Sequence, residues 1–275
     1  MNDMYSRSSL GSVNILKSER IYFKAIRSIS LQLCTCALII NWLRLGFIYL
    51  FPKVYPNLIQ SSLNLCITES FFLHVLTFFH LHLIICLRLY WHYCFIFEKY
   101  WQTITYRRIL FILLFTFICL CLFTLPSISN DWASIIYDEI LQICIVNYLF
   151  HYSYTFFVLT FTCLIPFVLI IISHKLQMKA IENRIFKYIS MDEKLNLSQL
   201  KVQFQYSSYI ILIWSFINIL LSIFLHTPIK YLQIRIILYY SQIYSFLLDP
   251  IIYILILRSL PTITLLRPTN KVYFI

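Results

Sequence analysis

Two glycines in 275 residues leave little room for tight turns. A phosphate-cradling loop needs several glycines in one short stretch, so nucleotide-binding loops of that kind are excluded. Strand-rich folds need more turn residues than two glycines and eight prolines supply, which points to long helices. Charge is also scarce: 12% of residues are charged and 60% are hydrophobic, where a soluble domain is about a quarter charged. Acids are scarcer still, 11 against 22 Lys and Arg. What little polarity there is cannot cover a soluble surface of this size.

What is present is long apolar runs. A membrane-crossing helix needs ~20 mostly apolar residues. Six stretches qualify, about 28–50, 70–95, 108–126, 148–173, 204–226 and 234–257. The expected fold is therefore all-α, a multi-pass transmembrane helix bundle. A cytoplasmic basic segment over 1–27 precedes it and a cytoplasmic tail over 258–275 follows it. A soluble helical protein is the alternative, and it would need a polar surface this composition lacks.

Basic residues in short loops set orientation. The segments 1–27, 88–108, 174–203 and 258–275 hold eighteen of them. The other side holds four: Arg44, Lys53, Lys230 and Arg235. Both ends, with the C-terminus among them, are therefore expected in the cytoplasm of a multi-pass plasma-membrane protein. The positive charge is split among separate segments, which suits anionic lipid headgroups and argues against nucleic acid. Between the spans, 50–57 reads as an outer loop closed by prolines. Residues 125–147 read as the longest outer loop, and 173–201 as a cytoplasmic extension of two helices.

Seven of the nine cysteines lie in or beside spans and read as packing groups. Cys66 and Cys144 fall on the outer side, in an oxidising compartment, as a bridge or as two unpaired thiols. His74, His80 and His82 share a span, but their spacing does not put all three on one face. They read as hydrogen-bonding groups between helices, not as a metal site. No nucleophile–base set, cofactor motif or metal spacing emerges, so neither enzyme chemistry nor a cofactor is expected.

One stretch runs against the apolar pattern. "SFLLDPIIYILILRSLP" puts Asp249 and Pro250 in the middle of the last run. An acid near mid-bilayer costs about 2.5–3.5 kcal/mol on insertion scales, so it should face the bundle interior. Pro250 removes a backbone donor, and Tyr253 adds a hydroxyl one turn on. The bland reading is a kinked helix with a tolerated acid. Intramembrane acids are functional by default.

"DPIIY", Asp249 to Tyr253, resembles the NPxxY/DPxxY signature in the last helix of rhodopsin-like G-protein-coupled receptors. "CLIPFVLIIISHKLQMKAI" around Pro166 resembles the family's fifth helix. "YIILIWSFINILL" resembles the sixth, with Trp214 at the toggle position and Phe216 where a proline is usual. "ICLRLYW" resembles the end of the third, with Arg88 kept while Leu87 and Leu89 replace the acid and aromatic around it. "YRRILFILLFTFICLCLFTLP" suits the fourth. In that register 28–50 is the second helix and the first is absent, which implies a truncated form or a genuine six-span protein.

The resemblance implies several roles. An extracellular ligand, a peptide or a small molecule, would bias a two-state bundle toward a heterotrimeric G protein. Asn41 and Asp249 would be an amide–acid pair with the family's order exchanged between helices. Cys66 and Cys144 would be the family's bridge. Arg88 either finds water, a carbonyl or a hydroxyl such as Tyr253, or snorkels to lipid phosphate. Glu69 either meets a cationic ligand or is a solvated helix-start acid. Two other readings stand beside the receptor: a small transporter or channel subunit with Asp249 and Arg88 on a polar path, and a non-signalling receptor remnant.

Overall fold

A computed structural model of the chain describes residues 26–54, 62–96, 106–128, 134–139, 142–147, 150–187, 191–225 and 232–258. Most of the expected basic segment 1–27 and of the tail 258–275 lies outside them, as do 55–61, 97–105 and 226–231. The described residues form six long helices and one β-hairpin. We label the helices α1 (Ile26–Leu50), α2 (Leu63–Ile96), α3 (Tyr106–Ile128), α4, α5 (Met191–Leu225) and α6 (Leu232–Arg258). Helix α4 joins Tyr152–Leu159, a π-helical turn at Thr160–Leu164, and Ile165–Lys187. The hairpin pairs β1 (Ser134–Asp138) with β2 (Ile143–Asn147), antiparallel, Tyr137 opposite Cys144.

Five of the six expected spans are helices long and apolar enough to cross a membrane: 26–50, 63–94, 106–128, 152–179 and 239–258. The sixth differs. Helix α5 is long, and Gln205–Leu221 is its apolar stretch among the described residues. The expected extension of two helices over 173–201 is present as the ends of α4 and α5.

The packing places polar groups inside and apolar groups outside. Asp249, Arg88, His80 and Asn41 are buried, while Leu110, Phe111, Ile112, Leu114 and Phe115 of α3 are exposed. A water-soluble monomer does not carry an apolar face that large. Helix α2 is the axis: most of its span is buried, whereas a third or less of each of the other four spans is. Its buried residues Leu83, Ile84, Leu87 and Trp91 share a cluster with Leu33 and Ala37 of α1, Trp214 of α5 and Tyr253 of α6. On another face Val75, Phe78 and Leu81 pack with Tyr154, Val158 and Ile170 of α4.

Both π-helical turns sit just before a proline. Phe51 N–H donates to Gly46 O ahead of Pro52, and Ile165 N–H donates to Thr160 O ahead of Pro166. Proline has no N–H to give the carbonyl four residues back. The wider turn lets the residue before each proline bond five residues back, so both helices continue through the break. The expectation that Pro52 stops the first span is therefore corrected: helix continues through Phe51–Val54.

Two other expectations are corrected. Helix α2 begins at Leu63, a full two turns before residue 70, because Glu69 and Ser70 are buried against the hairpin side instead of lying in a loop. The stretch 125–147 is not a plain loop: α3 runs on to Ile128 and the hairpin follows. Gln142, with φ of 56°, takes the left-handed conformation at the start of the return strand, where glycine is usual.

Candidate functional site

The site is built on Asp249, which is fully buried. Its carboxylate accepts from three helices. Asn41 Nδ2 of α1 donates to Oδ2, and Trp214 Nε1 of α5 donates to Oδ1 at 2.5 Å. His80 Nε2 of α2 lies 3.1 Å from Oδ2. Three charge-assisted contacts are what a carboxylate needs when no water reaches it. Pro250 follows it in the chain and cannot donate to Phe246 O, yet α6 remains helical through Asp249–Pro250.

The positive partner is Arg44, 1% exposed and one turn from Asn41 on α1. It does not touch Asp249. Its Nη1 donates to Asn41 Oδ1 at 3.1 Å and to His80 Nδ1 at 3.2 Å. Two neutral side chains thus bridge the ion pair. The bridge fixes their chemistry: Asn41 accepts from the base and donates to the acid, and His80 accepts at Nδ1, so its proton sits on Nε2. That proton faces both Asp249 and the Tyr253 hydroxyl, 2.9 Å away. The guanidinium also lies over the Phe246 ring, 4.8 Å from its centroid.

A second buried arginine lies two turns beyond His80 on α2. Arg88 has no exposed surface, and its Nη2 is 3.4 Å from His174 Nδ1 of α4. Among the described residues its Nε and Nη1 have no hydrogen-bond partner, nor do Ser173 Oγ or the amide atoms of Gln177. His92 Nδ1 donates to Ser173 O at 3.1 Å, holding α2 against α4 there.

At the other end of α2, the hairpin is attached twice. Cys66 and Cys144 form the expected disulfide. Glu69 Oε2 accepts from Cys144 N–H at 3.1 Å. Ile143 and Ile145 close over Ile48, Leu73 and Phe246. Beside the bridge, burial first and the charges of Glu69 and Glu139 second raise the Tyr137 phenol above its usual pKa. Just past α1, the Tyr49 hydroxyl raises the Lys53 ammonium by accepting its hydrogen bond at 3.0 Å.

Of the residues singled out from sequence, Asn41, Trp214, Asp249 and, through His80, Tyr253 are brought together. Pro250 is adjoining, and Arg88 and Pro166 are apart from them. Four expectations are corrected. Tyr253 is not the partner of Arg88: its hydroxyl meets His80. Arg88 does not snorkel outward: it has no exposed surface and lies against His174 of α4. Glu69 is not solvated: it is 1% exposed beneath the hairpin. Arg44 is not an outer-loop charge, because it faces the interior. Removing Arg44 and Arg88 from the loop tally leaves the basic bias in the same direction. Arg44 and His80 are the members that sequence reasoning missed as site residues. The spacing of Arg44, three residues after Asn41 on one helix face, was the available signal.

No known protein-family model matches the chain, and no curated protein is similar to it.

Proposed function

We propose that the chain is a rhodopsin-like G-protein-coupled receptor, embedded in the plasma membrane with six spans and its C-terminus in the cytoplasm. The observation that carries this reading is the set of contacts on Asp249. The acid of "DPIIY" meets Asn41 and Trp214, the two residues that the resemblance assigns to the same switch from other helices. The amide and the acid stand with the family's order exchanged, and the hydrogen bond between them is kept with donor and acceptor reversed.

In this reading the hairpin end faces outside, where the Cys66–Cys144 bridge suits an oxidising compartment. A ligand entering there alters the contacts around Asp249, which tie α1, α2, α5 and α6. A change in those contacts shifts the balance between two bundle arrangements. Arg88 sits at the other end with unmade donors and, among the described residues, no acid to hold it. Its release toward a heterotrimeric G protein is the output.

The test is guanine-nucleotide exchange on G proteins in cells expressing the chain, alone and joined to an upstream apolar helix, against a broad ligand panel. A responding ligand whose effect is lost in Arg88→Leu supports the receptor. Silence across the panel at normal surface expression overturns it, as does solute flux in vesicles that is lost in Asp249→Asn.

A further inference from the structure

The guanidinium of Arg44 is half used. It has five N–H groups. Both on Nη1 are taken, by Asn41 and His80. The others, on Nε and Nη2, have no partner among the described residues, although the side chain is 1% exposed. Nε and Nη2 form one edge of the planar group. That edge is the fork that meets a carboxylate through two parallel bonds. Leaving such donors unmade in a buried place is costly, so the edge calls for an acceptor.

We propose that this edge anchors a small monocarboxylic acid with an apolar tail, bound between α1, α2 and α6 under the hairpin. The side chains around Arg44's aromatic neighbour form an apolar wall: Phe246 lies under the guanidinium and packs in one buried cluster with Ile48, Leu73, Ile143 and Ile145. A cation would be repelled by Arg44, and an alcohol would leave part of the fork unmade. An acid with a short aliphatic tail satisfies both the fork and the wall.

The site also states how binding would be felt. Arg44 and Asp249 are otherwise a neutral pair. A second carboxylate on the free edge competes with Asp249 for the same positive charge. It weakens the two bridges through Asn41 and His80, and with them the link to Trp214 and Tyr253. What binding triggers rests on the receptor reading; the binding itself does not.

The experiment uses the purified chain in lipid nanodiscs and follows its thermal unfolding midpoint with hexanoate, hexanol, hexanamide or hexylamine at matched concentrations. Hexanoate alone is expected to raise the midpoint, saturably. Arg44→Lys keeps the charge but loses the fork, and should weaken the apparent affinity by about tenfold or more. The wild-type series needs no variant, so it decides the matter even where a substituted chain does not fold. Equal shifts from hexanol or hexanamide mean that tail partitioning, not the fork, is being read, and overturn the proposal. No shift with any probe overturns it as well and leaves the edge to water, and so does an undiminished hexanoate shift in Arg44→Lys. A hexanoate shift with silent nucleotide exchange removes the receptor and keeps the acid site. Exchange driven by another ligand class without a hexanoate shift does the reverse.

Discussion

Arg44 and Arg88 are both buried cations in an apolar bundle, and they are treated differently. Arg44 reaches a carboxylate through two neutral bridges and rests on an aromatic ring. Arg88 touches one imidazole at 3.4 Å and, among the described residues, reaches no acid. A buried charge is tolerated when it is paired and its remaining hydrogen-bonding groups are satisfied. By that measure the Asp249 end is paired, although one edge of Arg44 is still unmade, and it holds four helices together. The Arg88 end stores unmade contacts. On the proposed receptor reading, the first would sense a change and the second would meet the partner.

Breaking the paired unit should have the largest effect. Asp249→Ala leaves Arg44 and three donors facing an empty site, and should cost about 3–5 kcal/mol of stability. Denaturant unfolding of the chain in micelles would measure it. A cost near zero would mean that the two arginines are alike. Next, Cys66→Ser removes the covalent tie of the hairpin to α2. It should cost roughly 2–4 kcal/mol and raise hydrogen exchange over 134–147 while leaving the Arg88 end unchanged. Protection lost equally at both ends would blur the comparison.

Smaller changes sharpen it. Trp214→Phe removes one charge-assisted donor from Asp249 and keeps the ring, for about 1.5–3 kcal/mol, readable as a lowered unfolding midpoint. Arg88→Leu has the opposite sign. It replaces donors that are buried and unmade, and should raise stability by about 1–2 kcal/mol while removing any stimulation of nucleotide exchange. A destabilised Arg88→Leu chain would show that this end is partnered after all.

The helices were legible because apolar runs of this length have few other uses, and Asp249 was legible because an acid in such a run must turn inward. Cys66 and Cys144 followed from their shared side of the membrane. Arg44 was not legible in its role. Near the end of an apolar run, a cation that faces a loop and one that faces an acid five spans later look the same in sequence. His80 was read as a group bonding between helices, which it is, but its partners lie 36, 169 and 173 residues away. The hairpin was missed for a local reason. Ile135–Tyr137 and Ile143–Val146 are short runs rich in β-branched residues, as strands often are, but no Gly or Asn marks the turn between them. Gln142 takes the strained conformation instead.

The central claim is that Asp249 and Arg44 act as one unit from which Arg88 is separate. A double-mutant cycle on stability tests it most directly, with Asp249→Leu and Arg44→Met singly and together, and with Asp249→Leu and Arg88→Leu as the second cycle. The account predicts a coupling of about 1–3 kcal/mol for the first pair and additivity within ~0.5 kcal/mol for the second. Additivity in the first pair, or equal coupling in both, would contradict it.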